Sequence, residues 1–134
     1  MLVERLQLVS ETLTAPWVAN LGLRVTEATP GEVTFELGVR AEQVHQGGVL
    51  CGQAIMAAFD TGMVLVMASL DADRMFTTVT LNATFERAVP AGSGVVTFHA
   101  RATKPGRTLV FGEVACVLPG GTRAAAAATT YMWL

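Results

Sequence analysis

Hydrophobic and polar residues alternate along this chain with two periods, one typical of helices and the other of strands. Apolar residues every three or four positions predict a short amphipathic helix over residues 2–13, and Pro16 prevents that helix from continuing. Strict alternation predicts two strands, at residues 21–26 and 32–39, which a turn at residues 30–31 connects.

The central part of the chain contains one long apolar helix. Residues 40–50 form a loop with paired glycines, and a stretch from about residue 52 to residue 70 predicts the helix. This stretch is long enough to span a membrane. We expect a core helix in a soluble protein instead, since Asp60 would lie at the bilayer centre at a cost of roughly 2.5–3.5 kcal/mol. No lysine or arginine flanks the N-terminal end of the stretch.

Four further strands are predicted after the long helix. Alternation marks strands at residues 78–86, 96–102 and 108–118, and a hairpin turn at residues 104–107 joins the last two. Residues 123–134 are ambiguous, because an alanine run favours helix whereas the β-branched and aromatic residues after it favour a strand. This order of elements predicts an α+β fold in which an antiparallel sheet curls around the long helix.

The strand predicted at residues 78–86 alternates between apolar and polar residues, as a half-buried strand does. The apolar set is Val79, Leu81, Ala83 and Phe85, and the polar set is Thr78, Thr80, Asn82 and Glu86.

Composition and charge narrow the classes of function. The 134 residues are enough for one domain, residues 1–134, with a single core. Hydrophobic residues make up 51% of the chain and charged residues 15%, so we expect part of the apolar surface to be buried between subunits. The net charge of -2 and the absence of a basic run argue against nucleic acid. Cys51 and Cys116 form no motif for a disulfide framework or a metal site, which favours the cytoplasm.

Asp60 is the only charged side chain between Glu42 and Asp71. An ionised carboxylate in so apolar a stretch is costly to desolvate unless a partner compensates it. Burial also strips a carboxylate of water and alters its acidity, which enzymes use for catalytic acids and bases. Asp60 is therefore a candidate for chemistry. The alternative is a buried carboxylate that a neighbouring hydroxyl or amide holds as part of the core.

Three segments of the chain share a pattern with a known family. They are His45-Gln-Gly-Gly-Val-Leu-Cys51-Gly52-Gln53, then Asp60, then Thr77-Thr78-Val-Thr-Leu-Asn82. Over about residues 20–132 the chain resembles proteins of the hotdog fold, and more narrowly the PaaI-like acyl-CoA thioesterases related to 4-hydroxybenzoyl-CoA thioesterase. In that family a His-Gly-Gly stretch opens the long helix, and the catalytic carboxylate lies eight residues after its first glycine. Gly52 and Asp60 keep that spacing.

The resemblance implies roles for four residues. Asp60 would act as nucleophile or general base, and the backbone amide of Gly52 would polarise the thioester carbonyl. Thr78 stands where the family has a Ser or Thr on the third strand, and would reach the site of a neighbouring subunit to bind water or Asp60. His45 stands where the family commonly has an Asn, and would bind water or hold the helix mouth.

Further residues are expected to contact the substrate, although ordinary packing or solvation is the alternative for each of them. Cys51 and Gln53 replace the family's His and second Gly at the start of the helix. An apolar acyl pocket, the third strand and the phosphates of coenzyme A supply the other candidates, which are Met56, Phe59, Thr77, Lys104 and Arg107.

The resemblance therefore implies a thioesterase that releases a free acid and coenzyme A. It would be a homodimer, or a tetramer made of two dimers, and would need no cofactor beyond its substrate. Three alternatives stay open. One is a thiol mechanism in which Cys51 is the nucleophile and His45 its base. The second is a hotdog module that binds acyl-CoA without turnover. The third is a hydratase or dehydratase, in which a histidine would be closely spaced with the acidic residue.

Overall fold

The computed structural model describes all 134 residues and consists of three α-helices and six strands. Two short 3-10 turns, Ala41–Gln43 and Ala91–Ser93, interrupt the loops. The helices are α1 (Leu2–Thr12), α2 (Pro16–Ala19) and α3 (Gly52–Leu70), and the strands are β1 (Arg24–Thr29), β2 (Glu32–Gly38), β3 (Phe76–Phe85), β4 (Val95–Pro105), β5 (Leu109–Val117) and β6 (Arg123–Trp133).

All six strands form one antiparallel sheet with the order β1-β2-β4-β5-β6-β3. The sheet wraps around α3, which contacts five of the six strands. Strand β3 follows α3 in the chain but lies at the far edge of the sheet, beside β6. This is an α+β architecture of the hotdog type, as the sequence predicted.

Helix α3 is the centre of the hydrophobic core. Of its 19 residues, 12 are buried, and Gly62 and Gly112 allow the helix and the sheet to approach closely. A Cβ at Gly62 would lie 2.9 Å from the Phe35 ring, and one at Gly112 would lie 2.4 Å from the Met63 side chain. By length and composition α3 also passes for a membrane span, with a mean hydropathy of 1.5, but 61% of that stretch is buried inside the fold. The sheet accounts for its apolar character.

Two boundaries differ from the sequence predictions near the N-terminus. Pro16 was expected only to end the first helix. It also starts the one-turn helix α2, where its fixed φ and missing N–H are tolerated. The first strand begins at Arg24 rather than at residue 21. The preceding Leu21 and Leu23 are buried in the core without being part of a strand, so their apolar spacing marked the core and not the strand itself.

The ambiguous C-terminal segment is strand β6. It pairs with β3 on one side and β5 on the other, so its backbone hydrogen bonds are made within the sheet. Ala124, Ala125 and Ala127 are buried in the core. Pairing on both sides and burial of small residues under α3 therefore override the helical propensity of the alanine run.

Strand β3 contains a β-bulge at its centre. Thr78 pairs with Tyr131 on β6, and Thr80 pairs with Thr130, so Val79 has no partner in the ladder. One extra residue reverses which side of the sheet the following residues face. The strict alternation expected for this strand is therefore wrong at Thr78, which lies on the same face as Leu81, and Val79 is 51% exposed.

Candidate active site

Asp60 lies about two turns into α3, on the side of the helix that faces strands β3 and β6 at the edge of the sheet. Its side chain is half-buried, between Phe59 and Thr61, which are both buried. The carboxylate is therefore close to apolar surroundings yet reachable from outside. A group that acts on a ligand needs this combination of partial burial and access.

Two hydroxyl groups hold the carboxylate of Asp60. The Thr78 hydroxyl donates a hydrogen bond of 3.0 Å to Asp60 Oδ1. The Tyr131 hydroxyl donates to the same Oδ1, and it lies 3.0 Å from the backbone carbonyl oxygen of Asp60. The protein makes no hydrogen bond to Asp60 Oδ2. One carboxylate oxygen is thus anchored, and the other is left for a ligand or water.

Tyr131 is fully buried on β6. Burial raises the pKa of its hydroxyl well above the ordinary value, and the hydrogen bond to Asp60 raises it further. The hydroxyl consequently keeps its proton at neutral pH. Tyr131 is therefore the donor in this pair and Asp60 the acceptor.

Thr78 contacts Asp60 within its own chain. The sequence resemblance had suggested that Thr78 reaches the site of a neighbouring subunit. The bulge at Val79 explains the intrachain contact, because it turns Thr78 toward α3, directly opposite Tyr131. Residues directly opposite each other in a sheet project from the same face, so both hydroxyls reach the same carboxylate oxygen.

An apolar pocket of about 550 Å³ opens beside Asp60. Helix α2 supplies Trp17, which is 63% exposed, and strand β3 supplies Phe85, which is 50% exposed. Large aromatic side chains with so much exposed surface are available for contact with an apolar ligand. The lining residues are Trp17, Gly52, Gln53, Met56, Ala57, Asp60, Leu81 and Phe85.

Gly52 lies in the wall of this pocket as the first residue of α3. Its amide N–H is one of the first-turn donors that have no acceptor inside a helix, and the positive end of the helix dipole lies there. A Cβ at Gly52 would lie 3.6 Å from the Phe85 ring, which is an ordinary contact distance. The chain itself therefore leaves room for a small side chain at this position.

Cys51 lies at the start of α3 and His45 lies in the loop before it, and neither is in the pocket wall. His45 is exposed, and its Nδ1 accepts a hydrogen bond of 2.8 Å from the backbone N–H of Gly47. Cys51 is the N-cap residue of α3, and its side chain makes no capping hydrogen bond. No hydrogen bond joins the two side chains, so the structure does not form the thiol–imidazole pair that the Cys51 alternative requires.

The structure places Phe59 in the core rather than in the pocket. Met56 and Asp60 are one turn apart and share the face of α3 that fronts the pocket. Phe59 faces the sheet, has no exposed surface and packs edge-on against Phe98 at a centroid distance of 5.8 Å. The expected contribution of Phe59 to an acyl pocket is therefore wrong.

Three other predicted substrate contacts lie away from this pocket. Thr77 is exposed on β3 and pairs with Met132. Lys104 and Arg107 are exposed in the hairpin between β4 and β5. None of the three lines the pocket beside Asp60, and their roles stay predictions.

Sequence reasoning missed the partners that complete the site. Tyr131 was seen only as an argument for a final strand, Trp17 was not singled out, and Phe85 and Leu81 were assigned to an ordinary apolar strand face. The single tyrosine of the chain, in an alanine-rich segment, was the one available signal, since a buried tyrosine hydroxyl needs a partner. Which partner it finds depends on the strand order.

The titratable residues form no metal centre. No group of three or more His, Cys, Asp or Glu side chains is close enough to hold an ion. The charged pairs on the surface, such as Arg123 with Glu86 and Arg101 with Glu113, lie on the sheet outside the pocket.

Comparison with solved structures supports the fold. PaaI from the phenylacetic acid degradation operon of E. coli has a TM-score of 0.86 and is 14% identical, with 100% of this chain and 96% of PaaI covered. A hypothetical thioesterase of Streptococcus pneumoniae, solved with coenzyme A, has a TM-score of 0.78 and is 19% identical, with 84% of this chain and 85% of that protein covered. A Streptococcus mutans protein bound to acetyl-CoA has a TM-score of 0.78 and is 18% identical, with 84% and 88% covered.

Sequence comparison identifies the family. No curated protein matches this chain. The family model described as the thioesterase superfamily matches residues 47–125, which span the start of α3, the whole of the helix and strands β3 to β5. The match includes Asp60, Gly52 and Thr78. Since it covers more than half of the sequence, this chain belongs to the thioesterase superfamily.

Proposed function

We propose that this protein is an acyl-CoA thioesterase of the PaaI-like group, related to 4-hydroxybenzoyl-CoA thioesterase, which hydrolyses a thioester to a free carboxylic acid and coenzyme A. The observation that carries the proposal is the arrangement of Asp60. One of its carboxylate oxygens is held by Thr78 and Tyr131, and it lies in an apolar pocket two turns from the start of a helix. Membership of the thioesterase superfamily supports this activity, as do the neighbours that hold coenzyme A or acetyl-CoA.

In the proposed mechanism, Asp60 is the base or the nucleophile, and the backbone amide of Gly52 is the donor that polarises the thioester carbonyl. The amide N–H of Gly52 donates a hydrogen bond to the thioester oxygen and stabilises the negative charge that develops there. Asp60 either removes a proton from the attacking water or attacks the carbonyl carbon itself. With water as the nucleophile, its oxygen bonds to the carbonyl carbon, the carbon–sulfur bond breaks, and the proton that Asp60 has taken passes to the sulfur of coenzyme A. With direct attack, the carboxylate displaces the thiolate of coenzyme A and forms a mixed anhydride. Water then hydrolyses the anhydride to the free acid and the regenerated carboxylate, and the proton that this releases protonates the thiolate. The reaction needs no metal and no organic cofactor.

The acyl group is proposed to occupy the apolar pocket. Met56, Leu81 and the two aromatic side chains Trp17 and Phe85 offer apolar surface next to Asp60, and Gln53 is the polar side chain at the mouth. Such a lining favours an apolar acyl group over a charged one. Lys104 and Arg107 remain the proposed contacts of the coenzyme A phosphates, as exposed cations that a flexible ligand arm would reach.

The site does not favour the alternative reactions. The pocket wall contains no histidine, which a hotdog hydratase or dehydratase would pair with its acidic residue. His45 is hydrogen-bonded to its own loop, and His99 lies 3.2 Å from the Thr34 hydroxyl on the outer face of the sheet. A module that binds acyl-CoA without turnover would use the same pocket, so only kinetics separates it from an enzyme.

The proposed assembly is a homodimer in the cytoplasm. Strand β3 is a free edge of ten residues that carries no charged side chain, whereas the opposite edge strand, β1, is shorter and is packed against α1. An uncharged open edge is a surface on which a second sheet pairs. Joining two β3 edges would also bring two Asp60 pockets close to the interface.

The function is tested by measuring thiol release from short, medium, long and aryl acyl-CoAs with the wild type, Asp60→Ala and Asp60→Asn. We expect turnover by the wild type and a loss of about 100- to 10,000-fold in kcat for both variants, because each removes the base or nucleophile. Circular dichroism should show that both variants stay folded.

The matched control is Asp73→Asn, which neutralises an exposed carboxylate in the turn after α3. This variant should keep the wild-type kcat. Wild-type turnover by folded Asp60→Ala would contradict the mechanism. No turnover by the wild type, together with a melting temperature raised by acyl-CoA, would favour the binding module.

A further inference from the structure

Tyr131 and Thr78 form a directly opposed pair across strands β3 and β6, at the point where the bulge interrupts the ladder. Both hydroxyls end on the same oxygen, Asp60 Oδ1. The two residues come from different strands that are far apart in the chain. An arrangement that converges two donors on one atom is more than is needed to satisfy either hydroxyl.

We propose that Tyr131 is a positioning residue of the active site, whose buried hydroxyl holds Asp60 Oδ1 so that Oδ2 is the oxygen presented to the thioester. The role rests on the proposed thioesterase function. Tyr131 acts through Asp60 and does not line the pocket itself.

The need for such a residue follows from the flexibility of a carboxylate. The terminal torsion of an aspartate is broad, so an unrestrained carboxylate exchanges its two oxygens and samples many orientations. Two donors on Oδ1 stop this exchange, so the lone pairs of Oδ2 keep one orientation. Near-attack geometry depends on such restraint, because small misplacements of a reacting group reduce rates steeply.

Tyr131 is well placed to be the more rigid of the two donors. Its ring has no exposed surface and packs against Phe76 at a centroid distance of 6.2 Å, whereas Thr78 is exposed. The hydroxyl also lies 3.0 Å from the backbone carbonyl oxygen of Asp60, so both acceptors within reach of its single proton belong to Asp60.

The kinetic test compares the wild type with Tyr131→Phe, which keeps the ring and removes only the hydroxyl. We expect kcat to fall by about 10- to 100-fold, the effect of one hydrogen bond to a charged group, while KM stays within about two-fold.

The packing control is Phe76→Leu, which loosens the contact under the Tyr131 ring without touching Asp60. We expect it to lower the melting temperature and to reduce kcat less than Tyr131→Phe does. A double variant of Tyr131→Phe and Thr78→Val should lose less activity than the product of the two single losses, since both donors serve one acceptor.

A second measurement does not depend on activity. Tyr131 is the only tyrosine of the chain, so the ultraviolet absorbance of tyrosinate reports its ionisation alone. The Asp60 carboxylate contributes to raising the pKa of Tyr131, although burial contributes more. Asp60→Asn should therefore let Tyr131 ionise at lower pH than in the wild type.

These outcomes separate the two proposals. An active wild type whose Tyr131→Phe variant keeps kcat would overturn the positioning role and leave the thioesterase proposal standing. Should Tyr131→Phe fail to fold, the titration decides, and an unchanged tyrosinate titration in Asp60→Asn would overturn the role. An inactive wild type with a shifted titration would refute the function and retain the contact between Tyr131 and Asp60.

Discussion

The start of α3 shows how the absence of a side chain can serve chemistry. Gly52 lines the pocket, its φ lies outside the left-handed region, and a Cβ there would meet only the Phe85 ring at 3.6 Å. Neither backbone strain nor packing therefore requires a glycine. What a side chain would obstruct is the approach of a ligand oxygen to the Gly52 amide.

We expect Gly52→Ala to separate stability from activity. Its melting temperature should equal or exceed that of the wild type, since alanine favours a helix over glycine by up to about 1 kcal/mol. Its kcat should fall at least about 10-fold, because the methyl group would keep the thioester oxygen away from the amide. Thermal unfolding and kinetics on one acyl-CoA measure both effects.

Gly38→Ala is the control for this prediction. Gly38 ends β2 and lies outside the pocket, and a Cβ at this residue would have no heavy atom within 4 Å. The substitution should leave both stability and kcat close to wild type. A Gly52→Ala enzyme with unchanged kcat would show that the Gly52 amide does not contact the reacting oxygen.

The two cysteines differ at the same scale. Cys116 is fully buried on β5, and burial raises the pKa of its thiol to about 12, so it stays a protonated core residue. Cys51 is half-buried at the N-cap of α3, next to the pocket but outside its wall. Cys116 is therefore enclosed in the core, and Cys51 has no base hydrogen-bonded to its thiol, since the Nδ1 of His45 is bonded to Gly47.

Among the elements, the one-turn helix α2 has a role that its length does not suggest. Pro16 starts it, and the helix places Trp17 beside the face of α3 that carries Asp60. Trp17 is 63% exposed, although tryptophan is mostly buried in folded proteins. Helix α2 thus adds a wall to a pocket that α3 and β3 leave open.

We expect Trp17→Ala to change the selectivity of the enzyme for acyl groups. The KM for large apolar acyl-CoAs should rise about 10-fold, because the apolar contact with the ring would be lost, and the KM for acetyl-CoA should change little. The kcat should stay near wild type, since Trp17 does not touch Asp60. Steady-state kinetics across a chain-length series measures this.

Leu13→Ala is the matched control, as it removes a side chain that is 76% exposed and lies outside the pocket. It should leave all KM values unchanged. Equal effects of Trp17→Ala on short and long acyl groups would contradict a role in acyl selectivity.

At the scale of the whole molecule, the sheet has an open edge at β3, which has a neighbouring strand on one side only. A chain with 51% hydrophobic residues leaves Val79 and Phe85, both on β3, about half exposed. The strand has no charge, proline or covering helix that would protect it from pairing. Pairing of two copies along β3 would continue the sheet and cover this apolar surface.

We expect the wild type to sediment as a dimer or a larger even-numbered assembly, and Val79→Lys to shift it toward the monomer. Two lysines brought together across a two-fold axis would repel each other and would leave buried charge unpaired. Analytical ultracentrifugation over a range of concentrations measures the shift.

Val95→Lys is the control, since Val95 is 47% exposed but starts β4, which has neighbours on both sides. It should sediment like the wild type. A wild type that remains monomeric at high concentration would refute the dimer.

Much of the fold was predictable from the sequence because local periodicity reflects burial on one side. Helix α3 was predicted with its bounds, and the strands of the β4–β5 hairpin were close to theirs. Segment 123–134 could not be decided, because alanine has no side chain long enough to show which element buries it. Its neighbours β3 and β5 decide that it is a strand.

The sequence by itself determined the α+β order of elements, the apolar central helix and the isolation of Asp60, since these depend on spacing and on the cost of desolvating a charge. Tertiary structure alone decided what surrounds Asp60. The bulge at Val79 turns Thr78 inward, and the sheet order brings Tyr131 beside it. Strand pairing is a contact between distant segments, so no local pattern encodes which hydroxyl meets which carboxylate.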